Sequence, residues 1–259
     1  TAFGLDESLL GAAIEQISIA SHLSLRGLHI FSGTQILKAE TLLAQWNYGV
    51  SLARRLIKSG VRIETVDLGG GLGIPYFHND KPLDLEVVAS GARLLREEMR
   101  ADRHLRSVKL MIEPGRFLAG PSGLYATRVT TVKTSRGECF TVTDGGMHHH
   151  LAATGNLGQV IKKDYPVILA NRLNDAYDTA QKVVGTLCTP LDTYGRKTIL
   201  PSPRPGDTVA ILQSGAYGLS SSPVGFLNQP MPAEVLVDGQ DVTLIRPRGT
   251  FEQPVTPMP

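Results

Sequence analysis

The sequence predicts an α/β fold followed by a mainly β domain, with residues 1–121 in the first and 122–259 in the second. Apolar, strand-like runs alternate with amphipathic helical stretches as far as Ile112. The pattern then changes to short β-like segments after Gly120-Pro121-Ser122-Gly123. Strands alternating with helices at this spacing indicate a parallel sheet, either open or closed into a barrel. With 42% hydrophobic residues among 259, the chain has enough apolar surface for a substantial core.

The elements follow in order. Between Asp6 and Ala20, Leu9, Leu10, Ala13, Ile14 and Ile17 fall at helical spacing. Leu25 to Phe31 is then a strand-like run ending at Ser32-Gly33. Gln35 to Ser59 reads as a long amphipathic helix stopped by Gly60, and Ile63 to Leu68 as a buried-type strand ending in Gly69-Gly70-Gly71. Leu83 to Met99 is a third helix. Val108 to Ile112 is a third strand, ending in Glu113-Pro114-Gly115-Arg116. In the second domain Tyr125 to Thr134, Cys139 to Thr143, Val183 to Leu187 and Thr208 to Leu212 read as strands between Gly, Pro and Asp turns. Ala233 to Ile245 carries two more around an Asp238-Gly239 hairpin turn, and Pro254 to Pro259 is a loose end.

Composition narrows the function classes. The 26 basic and 24 acidic residues leave a net charge of +2, which makes no whole-chain case for nucleic acid or a membrane surface as partner. Cys139 and Cys188 form neither a disulfide framework nor a metal-type spacing, and no secretory segment opens the chain. No apolar run approaches the roughly 20 residues that span a bilayer. A cytoplasmic protein acting on a small molecule is expected. The chain opens at Thr1 without an initiator Met, consistent with a processed, cleaved or trimmed polypeptide.

Unusual residues gather where the three α/β strands end: His29 with Ser32-Gly33-Thr34, the triple glycine, and Glu113 to Arg116. Ligands of parallel α/β folds sit at these C-terminal ends. Glycines admit phosphate oxygens close to backbone amides, Ser32 and Thr34 offer hydroxyls, and Arg116 offers a charged fork, so the three loops read as a phosphate cup. Each piece has a plainer reading: a tight turn at the glycines, a packed His29, a Glu113–Arg116 ion pair. The run His148-His149-His150 suggests a metal, but consecutive strand residues point to alternate faces, so no metal site is expected. One or two of these histidines, His149 among them, are expected to line the substrate site beside Asp144-Gly145-Gly146.

These residues, with two later motifs, resemble a known family. Leu28 to Gln35 looks like the histidine-glycine-serine segment of the ornithine, arginine and diaminopimelate decarboxylases of the alanine-racemase fold. Asp67 to Gly71 resembles their glycine-rich loop, and Glu113 to Arg116 their EPGR motif. Gly185 to Asp192 resembles their cysteine motif and Gly215-Ala216-Tyr217-Gly218 their GAYG motif. The resemblance implies part of a (β/α)8 barrel followed by a β-sandwich or barrel-like domain, pyridoxal 5'-phosphate as cofactor, and a homodimer with shared active sites. It implies that His29 stacks on the cofactor ring and that Glu113 pairs with the pyridine nitrogen. Gly70, Gly71, Gly115, Arg116 and Tyr217 would hold the phosphate, with Ser32 or Thr34 assisting. Cys188 would deliver the proton that replaces the departing carboxylate, reaching in from the neighbouring subunit, with Asp192 close by.

Two departures matter. The family's lysine, whose amine carries the cofactor, lies upstream of the histidine segment, but the first lysine here is Lys38, on a predicted helix. A fragment needing its missing N-terminal portion, inactive alone, is therefore expected. Thr189 also stands where diamino-acid enzymes of the family carry an acidic residue for the distal amine. The stretch Asp144 to His150 lacks the arginine-containing pattern of diaminopimelate enzymes and looks like the biosynthetic-cluster branch, some of whose members act on carrier-tethered aminoacyl groups. The expected substrate is an amino acid or aminoacyl thioester without a free distal ammonium. The alternatives are a racemase on the same fold and an inactive binding or regulatory subunit.

Overall fold

A computed structural model describes residues 3–77, 79–159 and 162–250, and it divides into two compact units. The Pro-rich 254–259 stretch lies outside the described residues.

The first unit comprises Thr1–Pro75 and Asp80–Phe117. Asp6 accepts the Ser8 N–H, capping a 3-10 turn that leads into α1, Leu10–Ile19. Three parallel strands, β1 (Gly27–His29), β2 (Thr65–Asp67) and β3 (Lys109–Met111), form one sheet in that order. Their register sets His29 level with Asp67, and Asp67 level with Met111. Between them run α2 (Ala39–Lys58) and α3 (Leu85–Ala101), the latter capped by Asp84, which accepts from the amides of Glu86 and Val87. Leu42, Trp46 and Val50 recur every fourth residue on α2, and they pack in one core with Val66 of β2 and with Val88, Leu95 and Met99 of α3. Burying each such side chain stabilises the sheet and helices by roughly 1.5–3 kcal/mol. That core holds the strand ends still.

The second helix starts at Ala39, four residues later than its periodicity suggests. Gln35 takes a left-handed φ of 57°, which no α-helix accepts, and Ile36 instead forms a parallel bridge to Leu72. Lys38 therefore precedes the helix rather than lying on it. The strands, three residues each, are shorter than their apolar runs.

The second unit comprises Tyr76–Asn79 and the chain from Leu118 onward. Its main sheet contains β4 (Tyr125–Ser135), β5 (Glu138–Thr143), β6 (Val167–Leu169), β7 (Thr179–Val184), β8 (Thr193–Leu200) and β9 (Thr208–Ile211) in the order β6-β9-β4-β5-β7-β8. Only the β5–β7 pair is parallel. A separate hairpin, β10 (Glu234–Asp238) and β11 (Asp241–Arg246), turns at Gly239-Gln240. Two strands had no clear signal in the sequence: β6 is only three residues long, and β8 carries Gly195-Arg196-Lys197 beside a register shift. The segment expected at Val183 to Leu187 pairs earlier, at Thr179–Val184, because Gly185 onward turns. His148 and His149 also lie in a turn, not a strand, so alternation between faces does not describe them.

Candidate functional site

Parallel register places the C-terminal ends of β1, β2 and β3 side by side, so the residues that close each strand meet. His29 Nε2 lies 3.3 Å from Glu113 Oε2, and one ligand atom each from His29, Asp67 and Glu113 falls within 4.8 Å of the others. The side chains of His29 and Glu113 are 56% and 55% exposed, open to an incoming group. Asp67 does double duty, because its Oδ1 also accepts the Gly69 N–H at 2.9 Å and turns the chain into the glycine loop.

The loops behind these residues are cross-tied. The Glu113 amide donates to the Gly69 carbonyl at 2.9 Å, joining the second loop to the third. Gly70 packs so closely on the third loop that an added Cβ would lie 2.7 Å from the Glu113 carbonyl oxygen. At Gly115 an added Cβ would meet no atom within 4 Å, so backbone here borders open space. Gly115 opens the short α4, Gly115–Ala119, and Arg116 Nη1 donates to Gln35 Oε1 at 3.2 Å. Ser32 and Thr34 are exposed on the first loop, where the Ser32 carbonyl accepts from Gln45 Nε2 at 3.1 Å. A histidine and two carboxylates thus converge, with close-packed glycine backbone and a guanidinium on the same strand-end loops. That donor set fits a heteroaromatic ring with a basic nitrogen and an anionic tail.

The remaining candidates lie on the second unit. Cys188 is exposed, one residue past Leu187 in the turn after β7. Asp192, expected near substrate, is 2% exposed, and its carboxylate accepts the amides of Met147 at 2.6 Å and Leu187 at 2.9 Å. Burial pushes its carboxyl pKa up, and these two bonds oppose that rise. Asp192 therefore braces the loop that carries Cys188. Thr189 Oγ1 accepts the Leu191 N–H at 3.3 Å within the same turn. His149 uses both ring nitrogens inside the fold, toward the Tyr125 hydroxyl and the Pro230 carbonyl, each at 2.9 Å. Tyr217 is 47% exposed and holds a left-handed φ of 54°, a conformation that costs free energy in a non-glycine residue.

Sequence reasoning gave no separate role to Asp67, although its place directly before the triple glycine at a strand end was a signal. Gln35, the last residue of the histidine-glycine-serine segment, was given no role of its own, because helical periodicity placed it at the start of the second helix.

Residues 1–120 match the family described as pyridoxal-dependent decarboxylase, pyridoxal binding domain. The chain is 37% identical over 254 residues to the L-glutamyl-[BtrI acyl-carrier protein] decarboxylase of Niallia circulans, a match covering 96% of this chain and 59% of that protein. It is 32% identical over 226 residues to a diaminopimelate decarboxylase of Methanothermobacter thermautotrophicus, covering 87% of this chain and 51% of the relative. Among solved structures, the diaminopimelate decarboxylase of Helicobacter pylori complexed with L-lysine is similar with a TM-score of 0.80 at 25% identity, covering 97% of this chain and 59% of that one. The chain thus spans between half and six-tenths of the length of the curated relatives it matches.

Proposed function

We propose that this chain, whose residues 1–120 match the pyridoxal binding domain of the pyridoxal-dependent decarboxylases, carries cofactor-binding and proton-donating parts of a pyridoxal-phosphate-dependent amino-acid decarboxylase. The observation that carries the reading is the convergence of His29, Asp67 and Glu113 at three successive strand ends. In this reading the three strands are a section of a (β/α)8 barrel, residues 122–259 form a sandwich or barrel-like β domain, and the protein works as a cytoplasmic homodimer.

Glu113 faces the pyridine nitrogen, where a carboxylate favours the protonated ring. His29 lies against the ring and limits its tilt. Gly70, Gly71, Gly115 and Arg116 hold the phosphate, helped by the Ser32 or Thr34 hydroxyl. Bound pyridoxal phosphate supplies the electron sink for the pair left behind as carbon dioxide departs. Cys188, presented by the neighbouring subunit, delivers the proton that replaces the carboxylate, and Asp192 holds its loop in place. No lysine precedes His29, so the family's cofactor-bearing amine has no counterpart at that position in this chain.

The substrate is an amino acid or an aminoacyl group without a free distal ammonium. Thr189 supplies no counter-charge for such a group, and His149 is spent on the fold. The Niallia relative, which acts on an L-glutamyl carrier protein, supports the tethered form. The test is carbon dioxide release by the full-length protein from glutamyl carrier protein compared with free ornithine and lysine. Release from the tethered substrate is the expected result. Equal turnover of the free diamino acids would overturn the substrate class. Exchange of the α-proton without carbon dioxide would identify a racemase, and cofactor binding with neither a binding subunit.

A further inference from the structure

We infer that His29, Asp67 and Glu113 bind one zinc-class divalent cation when no cofactor is present, and that metal and cofactor exclude one another there. The exclusion rests on the pyridoxal-phosphate reading above, whereas the metal site stands on the geometry of the three side chains. They sit at the ends of three successive parallel strands, and one ligand atom of each lies within 4.8 Å of the other two. Among the described residues no other group of three histidine, cysteine or carboxylate donors is so placed, and the run His148 to His150 takes no part. His29 Nε2 and Glu113 Oε2 stand 3.3 Å apart. Two vertices of a tetrahedron with bonds of about 2.0–2.1 Å are about 3.3–3.4 Å apart, which is the separation of a nitrogen and an oxygen held by one zinc ion.

Charge and access both favour an ion over a simple histidine–carboxylate pair. Neither Asp67 nor Glu113 pairs with a lysine or arginine among the described residues, so two carboxylates face each other with a histidine as their only shared neighbour, and a dication offsets both. Asp67 is anchored in advance, because its Oδ1 accepts the Gly69 N–H at 2.9 Å and leaves Oδ2 for the ion. The His29 and Glu113 side chains are more than half exposed, which admits a hydrated ion and leaves a fourth position for water. The imidazole nitrogen sets the class of metal. It suits zinc and its neighbours, whereas magnesium and calcium take shells of six or more ligands, nearly all oxygen. In the cofactor reading Glu113 turns to the pyridine nitrogen and His29 to the ring face, and neither can do so while it holds a metal.

The test titrates the full, cofactor-free chain with zinc chloride by isothermal calorimetry, with magnesium chloride as control. One zinc per chain and no magnesium is the expected result. His29→Ala, at an exposed side chain, and Asp67→Asn, which keeps the Oδ1 acceptor for Gly69, should each weaken zinc at least about tenfold, the loss that even an outer-shell partner causes. Zinc held adventitiously, at the exposed Cys188 thiol for example, would survive both substitutions. Absence of stoichiometric zinc binding, or binding that both variants retain, would overturn the inference. Pyridoxal 5'-phosphate is then titrated with and without zinc. Its apparent affinity should fall as zinc rises in wild type and should lose that dependence in Asp67→Asn, which separates competition on the protein from chelation of the cofactor in solution. If zinc bound at the triad but left pyridoxal phosphate affinity unchanged, or if the metal-free chain bound no pyridoxal phosphate, the cofactor reading would be overturned and the metal site would stand.

Discussion

His29 Nε2 and Glu113 Oε2 stand 3.3 Å apart although their residues are 84 positions apart in sequence, because β1, β2 and β3 are parallel and in register. Both side chains are more than half exposed, so this pair contributes at most about 1 kcal/mol to stability. Glu113→Gln should therefore leave the melting temperature almost unchanged. On the proposed reading it should weaken pyridoxal phosphate binding roughly tenfold, since the carboxylate would make a charge-assisted hydrogen bond to the ring nitrogen. Parallel thermal melts and ligand titrations check this; unaltered affinity would remove Glu113 from the cofactor site.

Gly70 and Gly115 should separate fold from ligand. Alanine at Gly70 would press its Cβ to 2.7 Å from the Glu113 carbonyl oxygen, and relieving that overlap should cost about 1–3 kcal/mol. Alanine at Gly115 meets no protein atom within 4 Å, so its methyl group displaces only what binds there. Gly70→Ala should lower the urea midpoint, whereas Gly115→Ala should keep the midpoint and lose cofactor affinity. The reverse pattern would move the phosphate away from Gly115.

The alternation of apolar runs and amphipathic stretches made the parallel sheet legible, because core packing leaves a direct trace at Leu42, Trp46 and Val50 on one helix and Val66 on a strand. The strand-end residues were legible for a different reason: a histidine, acids and an arginine gathered at strand ends are not what an apolar core calls for. What escaped was local. Gln35 fits a helical pattern by composition, but its side-chain bonds to Ile74 and Arg116 and the neighbouring Ile36 bridge to Leu72 place it outside the helix. Those bonds connect residues 39 and 81 positions away, which periodicity cannot register. Asp192 was legible as a motif residue, but its direction was not, since two backbone amides rather than a ligand claim its carboxylate.

The three consecutive histidines give the second unit a pH dependence. His148 and His150 are each 1% exposed with no hydrogen-bond partner at either ring nitrogen, and burial lowers their pKa values to about 3 and about 4. His149 is lowered in the same direction by burial. The folded state keeps the His148 and His150 rings neutral down to about pH 4, whereas the unfolded chain protonates these two below about 6.5. Their contribution is thus complete above pH 6.5 and declines as pH falls toward 4, because the unfolded state takes up more protons. At pH 5 the loss is on the order of 2 kcal/mol per ring. His150 lies edge-on to the rings of Tyr125 and Tyr165, which a phenylalanine could also satisfy. Urea midpoints at pH 7.5 and pH 5 should therefore converge in His150→Phe by the share of one ring, and an unchanged slope would show that this ring is not the titrating group.

Asp192 and Cys188 offer the sharpest separation of binding from proton delivery. The Asp192 carboxylate joins Met147 to Leu187, and Cys188 follows Leu187 directly. An asparagine retains one acceptor and turns an NH2 group toward the other buried amide, which should cost roughly 1–3 kcal/mol and loosen the Cys188 turn. Cys188→Ala removes the proposed proton donor without touching that brace. Both substitutions should therefore depress turnover and correct protonation in the full-length protein, with pyridoxal phosphate affinity held within about twofold, since neither residue belongs to the cup formed by His29, Glu113 and Arg116. Only Asp192→Asn should also lower the urea midpoint. Should Asp192→Asn keep both its stability and its turnover, the brace would have no part in presenting Cys188; should Cys188→Ala lose cofactor affinity while its chemistry survives, the thiol would belong to the binding site and not to proton transfer.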